Sequence, residues 1–167
     1  MTEQKFTLPR WNELPTLDLY LDQVVSLVNG YVAEIMPANQ KRVLTNAMLN
    51  NYVKHDLMPA PVKKKYSRQH VVFLILISLM KQAFSLDEVQ RVLDLALRDR
   101  SLKDFYDEYC DAQEAAVIFV RTAQVENAMA LKAHGELSQI VALAIATNLY
   151  SKTLIAQLEQ DQEHKTL

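Results

Sequence analysis

Side chains of the kind that recognise nucleic acid are concentrated in one stretch of the 167-residue chain, from Val43 to Val89. Asn46, Asn50, Asn51 and Lys54 fall within one arc of a helix. Asparagine amides pair with adenine edges in a major groove, and lysine reaches phosphates. Shortly after them come Lys63, Lys64, Lys65, Tyr66 and Arg68. From Lys41 to His70 seven cations face one anion, Asp56, so this segment carries +6 in a chain whose formal total is −2. A basic segment inside an otherwise acidic protein is the electrostatic footprint of a phosphate-binding surface, because each phosphate contact releases counterions. Taken singly, the asparagine face reads better as a solvated helix face with no partner, and lysine-rich solvated loops are common. Their coincidence with helix and turn signals points to DNA.

The elements that must position these residues are legible from caps and apolar spacing. Thr45 caps a helix from Asn46 to about His55, whose inner stripe is Met48, Leu49, Tyr52 and Val53. Pro59 and Pro61 stop it and hold a turn, after which the lysines form a small hairpin wing. Ser67 caps a nearly all-apolar core helix from Arg68 to Ala83. Ser85 and Glu88 form a capping box for a helix to about Arg98, buried through Leu86, Val89, Val92, Leu93 and Ala96 or Leu97.

On the N-terminal side, Phe6 to Pro15 carries two prolines and the only tryptophan, and reads as an extended segment that packs down. Thr16 then caps an amphipathic helix with apolar positions Leu17, Leu21, Val24, Val28, Tyr31 and Ile35, ending at Met36-Pro37. On the C-terminal side, Asp99 to Ser101 break the chain before a short helix from Leu102 to about Tyr109. Asp111 and Glu114 mark the start of a long helix to about Ala133, closed by Gly135 as a left-handed cap. A last helix from Glu136 to about Gln160 is apolar almost all round between Ile140 and Leu149, which predicts a homodimer through the two final helices.

Composition narrows the function classes. Half the residues are hydrophobic and two are glycine, which favours an all-α fold over sheet. One cysteine, Cys110, forms no internal disulfide and fits a reducing cytoplasm. No apolar run approaches the roughly 20 residues of a membrane span, so no membrane is expected. His55, His70, His134 and His164 lack metal-ligand spacing, and Asp107, Glu108, Asp111 and Glu114 read as a solvated helix face and cap. No glycine-rich phosphate loop and no nucleophile–base constellation is present, so neither enzyme, cofactor nor metal is expected.

The stretch Leu44 to Val89 resembles the winged helix-turn-helix of the MerR regulators. The matching features are Thr45, Leu49, Tyr52, Leu57-Met58-Pro59, Tyr66-Ser67 and Phe84-Ser85-Leu86-Asp87-Glu88-Val89. Leu8-Pro9-Arg10-Trp11, Glu13-Leu14-Pro15, Asn50-Asn51-Tyr52-Val53-Lys54 and Pro61 to Arg68 are similar to the bacterial domain-of-unknown-function family 1836. The MerR resemblance implies that Asn50, Tyr52 and Lys54 lie on or beside a groove-facing helix, with Lys63, Lys64, Lys65 and Arg68 along the wing. Asp56 stands where that pattern has a glycine, a residue tolerated in the left-handed region. The expectation is an all-α, MerR-like transcriptional regulator: residues 1–98 bind double-stranded DNA, residues 99–167 dimerise or sense, and any small-molecule effector is unassigned. Asn46, Asn50, Asn51, Tyr52, Lys54, Lys63, Lys64, Lys65, Tyr66 and Arg68 are the expected DNA contacts. The alternative is a helical protein-interaction module that does not bind DNA.

Overall fold

In the computed structural model, which describes residues 6–37, 40, 42–122, 132 and 134–165, six α-helices follow one another among the described residues. They are α1 (Leu21–Val32), α2 (Asn46–Lys54), α3 (Arg68–Met80), α4 (Leu86–Ala96), α5 (Leu102–Thr122) and α6 (Glu136–Lys165). The fold is all-α: extended pairing among the described residues is confined to two isolated antiparallel bridges, Leu19 with Tyr66 and Val62 with Lys65.

The core helix α3 is buried at ten of its thirteen positions, from His70 through Met80 with only Phe73 partly open. Each buried Leu, Ile or Val of such a helix contributes on the order of 1.5–3 kcal/mol relative to exposure. A helix without a polar face needs cover on every side, and α1, α5 and α6 all pack against it. Ser67 is the N-cap residue of α3, as the sequence indicates. The Ser67 amide donates to His70 Nδ1 at 2.9 Å, so the histidine three residues on reaches back in the place usually taken by Glu or Gln.

Helix α1 buries Val24, Val28 and Val32 but begins at Leu21, one turn later than the spacing from Leu17 suggests. The Leu19 amide and carbonyl each pair with Tyr66 at 2.8 Å, which holds residues before Tyr20 extended and leaves Leu17 78 % exposed. The connection from α1 to α2 is fixed by Asn29. Its Oδ1 accepts from the Val43 and Leu44 amides at 2.8 and 3.0 Å, and its Nδ2 donates to the Leu44 carbonyl at 2.8 Å. One side chain thereby satisfies backbone groups that the loop would otherwise bury unpaired.

The Ser85–Glu88 capping box forms as the sequence indicates, with the Ser85 amide on Glu88 Oε2 at 2.8 Å and the Glu88 amide on Ser85 Oγ at 3.3 Å. Beyond α4 two expectations fail. Leu102 to Thr122 is one continuous helix, with no restart at Asp111; Ser101 caps it through Asp104, and the chain then runs straight through Tyr109 and Cys110, both buried. Nor does Gly135 take a left-handed conformation. Its amide donates to Glu108 Oε1 at 2.7 Å, and a Cβ there would stand 3.0 Å from the same oxygen, so the glycine permits close approach. The expected end of the long helix near Ala133 lies outside the described residues.

The acidic residues of α5 are not a solvated face. Asp107, Asp111 and Glu114 share one side of the helix and receive the N-terminal segment as a strap. Glu114 takes the Leu8 amide at 2.7 Å and the Arg10 guanidinium at 2.7 Å, Asp111 takes Arg10 at 2.6 Å, and Asp107 takes the Trp11 amide at 2.7 Å. The Tyr106 hydroxyl donates to the Pro9 carbonyl at 2.7 Å. Under these bonds Phe6, Leu8 and Leu14 are buried. Hydrogen bonding to Glu114 is the main cause that raises the Arg10 pKa above its ordinary value, so the cation persists throughout the accessible pH range. Helices α5 and α6 are joined through Gln113, buried, which accepts from the Tyr109 hydroxyl at 2.8 Å and donates to the Ala142 carbonyl at 3.2 Å.

Two stability measurements follow from this clasp. A double-mutant cycle by denaturant unfolding is expected to give Arg10–Glu114 a coupling of about 1–2 kcal/mol and the more exposed Arg10–Asp111 pair less than about 1 kcal/mol. Equal couplings would contradict the burial difference. Glu108 is partly desolvated, which opposes ionisation, but the Gly135 amide and Arg100 outweigh this and hold its carboxyl below the ordinary range. A lowered folded pKa contributes stability that is present above the unfolded value of about 4.3 and lost as pH falls through the folded value. Glu108→Gln is therefore expected to cost stability at pH 7 and less at acid pH, read as a shallower acid limb in unfolding midpoints against pH.

Candidate nucleic-acid interface

Helix α2 begins at Thr45, whose Oγ1 accepts from the Met48 amide at 3.2 Å. It ends where Asp56 adopts φ 57°, with the Leu57 amide returning to the Tyr52 carbonyl at 3.0 Å. The left-handed stop that the glycine pattern calls for is thus supplied by aspartate. Leu49 and Tyr52 point inward, while Asn46, Asn50, Asn51 and Lys54 are exposed. Tyr52 is 1 % exposed, and burial pushes its hydroxyl up to about 12. It is a core residue that supports the outward face and does not belong to it.

The lysine segment forms a two-residue hairpin. Val62 and Lys65 exchange backbone hydrogen bonds of 3.1 and 2.9 Å, and the two residues between them, Lys63 and Lys64, take φ of 50° and 61°. Two successive positive φ angles across such a loop are the requirement of a type I′ turn, which Asn-Gly fills most easily. Two lysines in that conformation store strain on the order of 1 kcal/mol each. All three of Lys63, Lys64 and Lys65 are exposed.

The base of the hairpin is held rigidly. Tyr66, expected on the surface, is buried and meets His70 edge to face at 5.6 Å. With Nδ1 of His70 accepting from the Ser67 amide, the ring proton sits on Nε2, which lies 3.2 Å from the Ala60 carbonyl it donates to. Arg68 also differs from expectation: its guanidinium donates to the Leu14 carbonyl at 3.1 Å and the Pro15 carbonyl at 3.4 Å, and stands 5.7 Å from the Trp11 ring centre. It fastens the strap to α3, so it buttresses the wing from behind.

Both halves of the exposed surface meet at the start of α1. The Asn46 amide donates to Asp22 at 2.8 Å, while Tyr66 pairs with Leu19 and the Lys65 ammonium lies 5.3 Å from the Tyr20 ring. Residues 19–22 therefore touch both the first residue of α2 and the base of the lysine turn. Sequence reasoning missed two members of this surface, Tyr20 and Val62, both exposed. Tyr20 follows an unrecognised extended residue, and only its pairing across to Lys65 gives it a place here. Beside it, an open groove of about 620 Å³ between α1 and α2 is lined in part by Asp22, Ser26, Arg42 and Asn46.

Other chemistry finds little support. Among the described residues no group of three or more His, Cys, Asp or Glu converges on a point. Cys110 lies under the strap, and burial pushes its thiol up to about 12, away from nucleophilic character. A crevice of about 230 Å³ between α5, α6 and Ile35 has apolar walls from Val117, Val120 and Leu149 with Arg121 at its edge. Among the described residues no helix is long and apolar enough to cross a membrane.

The strained turn yields a direct measurement. Lys63→Asn with Lys64→Gly, which suits the turn, is expected to raise unfolding stability by about 1–2 kcal/mol. A loss of stability would show that the lysines are not strained.

No curated protein and no solved structure matches the chain. Residues 9–109, from the strap through α2, the lysine hairpin, α3, α4 and the first eight residues of α5, match the sequence profile described as domain of unknown function DUF1836. The profile spans more than half of the chain, which thus belongs to the DUF1836 family.

Proposed function

We propose that the chain is a DNA-binding regulator of MerR-like type, reading double-stranded DNA with α2 and a lysine wing. The observation that carries this reading is the shared anchorage of the α2 face and the strained lysine turn on residues 19–22. Asn50 and Asn51 are exposed on the outer face of a nine-residue helix, the size and polarity that enter a major groove and bond adenine edges. Lys54, Lys63, Lys64 and Lys65 supply cations for the flanking phosphates. Tyr20 and Val62 add apolar surface on either side of Lys65, suited to the sugars between phosphates. Tyr52, Tyr66 and Arg68 act from within, setting the attitude of the two contact elements. Asp22, bonded to Asn46, keeps a carboxylate at one end of the face and so limits how closely phosphate approaches there.

A helical protein-interaction module remains the second reading, favoured by the exposed Tyr20 and Val62 beside the lysines, a composition that also fits an acidic peptide. Titration of labelled duplex at several salt concentrations separates the two. DNA reading predicts a log–log salt slope that flattens by about three units in Lys63→Ala/Lys64→Ala/Lys65→Ala, near one unit per phosphate lost. Asn50→Ala is expected to reduce preference for the target site by about 1–3 kcal/mol with the salt slope unchanged. No duplex affinity at low salt would overturn the reading.

A further inference from the structure

Between His70 and Met80, the cover over α3 is incomplete only at Phe73, which is half-buried. A groove of about 460 Å³ opens there, between the residues that follow α2 and those of α4. Met58, Pro59, Phe73, Leu93 and Leu97 give it apolar walls, and its volume falls within the range of small-molecule sites. Its polar groups are all acceptors. Asp56 and Asp94 each bring an exposed carboxylate, and among the described residues neither forms an ion pair; Arg91 and Arg98, on α4 to either side of Asp94, leave it unpaired. Gln90 completes the set. Its Nε2 donates to Asp94 Oδ1 at 2.9 Å, which fixes the orientation of the amide, and its Oε1 is buried without a hydrogen-bond partner. A buried acceptor left open calls for a donor.

We infer that this groove binds a small organic cation, an ammonium or amidinium carried on an aromatic or branched aliphatic body. Such a cation has donors and no acceptor, so it answers Gln90 Oε1 and the two carboxylates together, while its apolar body covers Phe73 and Leu97. A carboxylate or phosphate on the same body would meet only acceptors and like charge. A neutral alcohol could donate once, but it would leave both charges unmatched. The groove shares no residue with the contacts proposed for DNA, and its occupation is measured without DNA.

Titration of the full chain with phenethylamine at neutral pH, followed by backbone and side-chain NMR shifts, tests the inference. Saturable shifts are expected at Phe73, Gln90, Leu93 and Leu97. Phenylethanol is expected to bind about fivefold more weakly, and phenylpropionate not at all. Asp56→Asn/Asp94→Asn is expected to weaken phenethylamine by about fivefold and to leave phenylethanol unchanged. Asparagine tolerates the left-handed backbone at position 56 and still accepts from Gln90 at position 94, so helical circular dichroism is expected to be retained. Absent shifts, or shifts centred on other elements, overturn the inference. So does equal binding of phenethylamine and phenylethanol by the parent, or an unchanged phenethylamine affinity in the folded double variant.

Discussion

Because α3 has no polar face, its ten buried positions must be enclosed from all directions, and the other elements take their places in meeting that demand. Helix α1 lies along one side through Val24, Val28 and Val32, and α5 and α6 close others. What remains is the N-terminal end of α3, where Ser67 and His70 meet the lysine turn and Arg68 meets the strap. This deeply buried helix therefore begins directly beside the surface proposed to touch DNA. Tyr66 and His70 tie the lysine turn to it, and Asn29 ties the α1–α2 connection to α1.

Against this firm backing, the lysine turn is a local concession. Asn-Gly would relieve the left-handed strain at Lys63 and Lys64, yet lysines stand there. Strain retained on a well-supported hairpin is intelligible when the side chains at its tip have a use, and three adjacent exposed cations suit a phosphate backbone. The same economy applies to α2. Its inner residues, Leu49 and Tyr52, are committed to the core, while its outer asparagines and Lys54 are exposed, with Asn46 bonded to Asp22.

Local signals carried most of the fold, and long-range ones explain the misses. Thr45, Ser85 with Glu88, and Ser101 are caps whose geometry depends on residues three apart, and each appears where the pattern places it. Asp111 and Glu114 have the same local signature, but their partner is Arg10, about a hundred positions away, which no periodicity reveals. The late start of α1 has the same origin, since Leu19 is held extended by Tyr66. At the site, helical phase separates Asn50 and Lys54 from Leu49, but it also puts Tyr52 on the inner stripe, a reading that family analogy obscured. The inward roles of Tyr66 and Arg68 arise from contacts with His70 and the strap, neither of which is adjacent in sequence to the lysines.

The surface can be mapped residue by residue through backbone amide chemical shifts during titration with short duplex DNA. The account predicts shifts concentrated at residues 19–22, on α2 at Asn46 to Lys54, and across Lys63 to Lys65, reversing as salt is raised, with α6 unaffected. Shifts centred on other elements, or none at low salt, would contradict it.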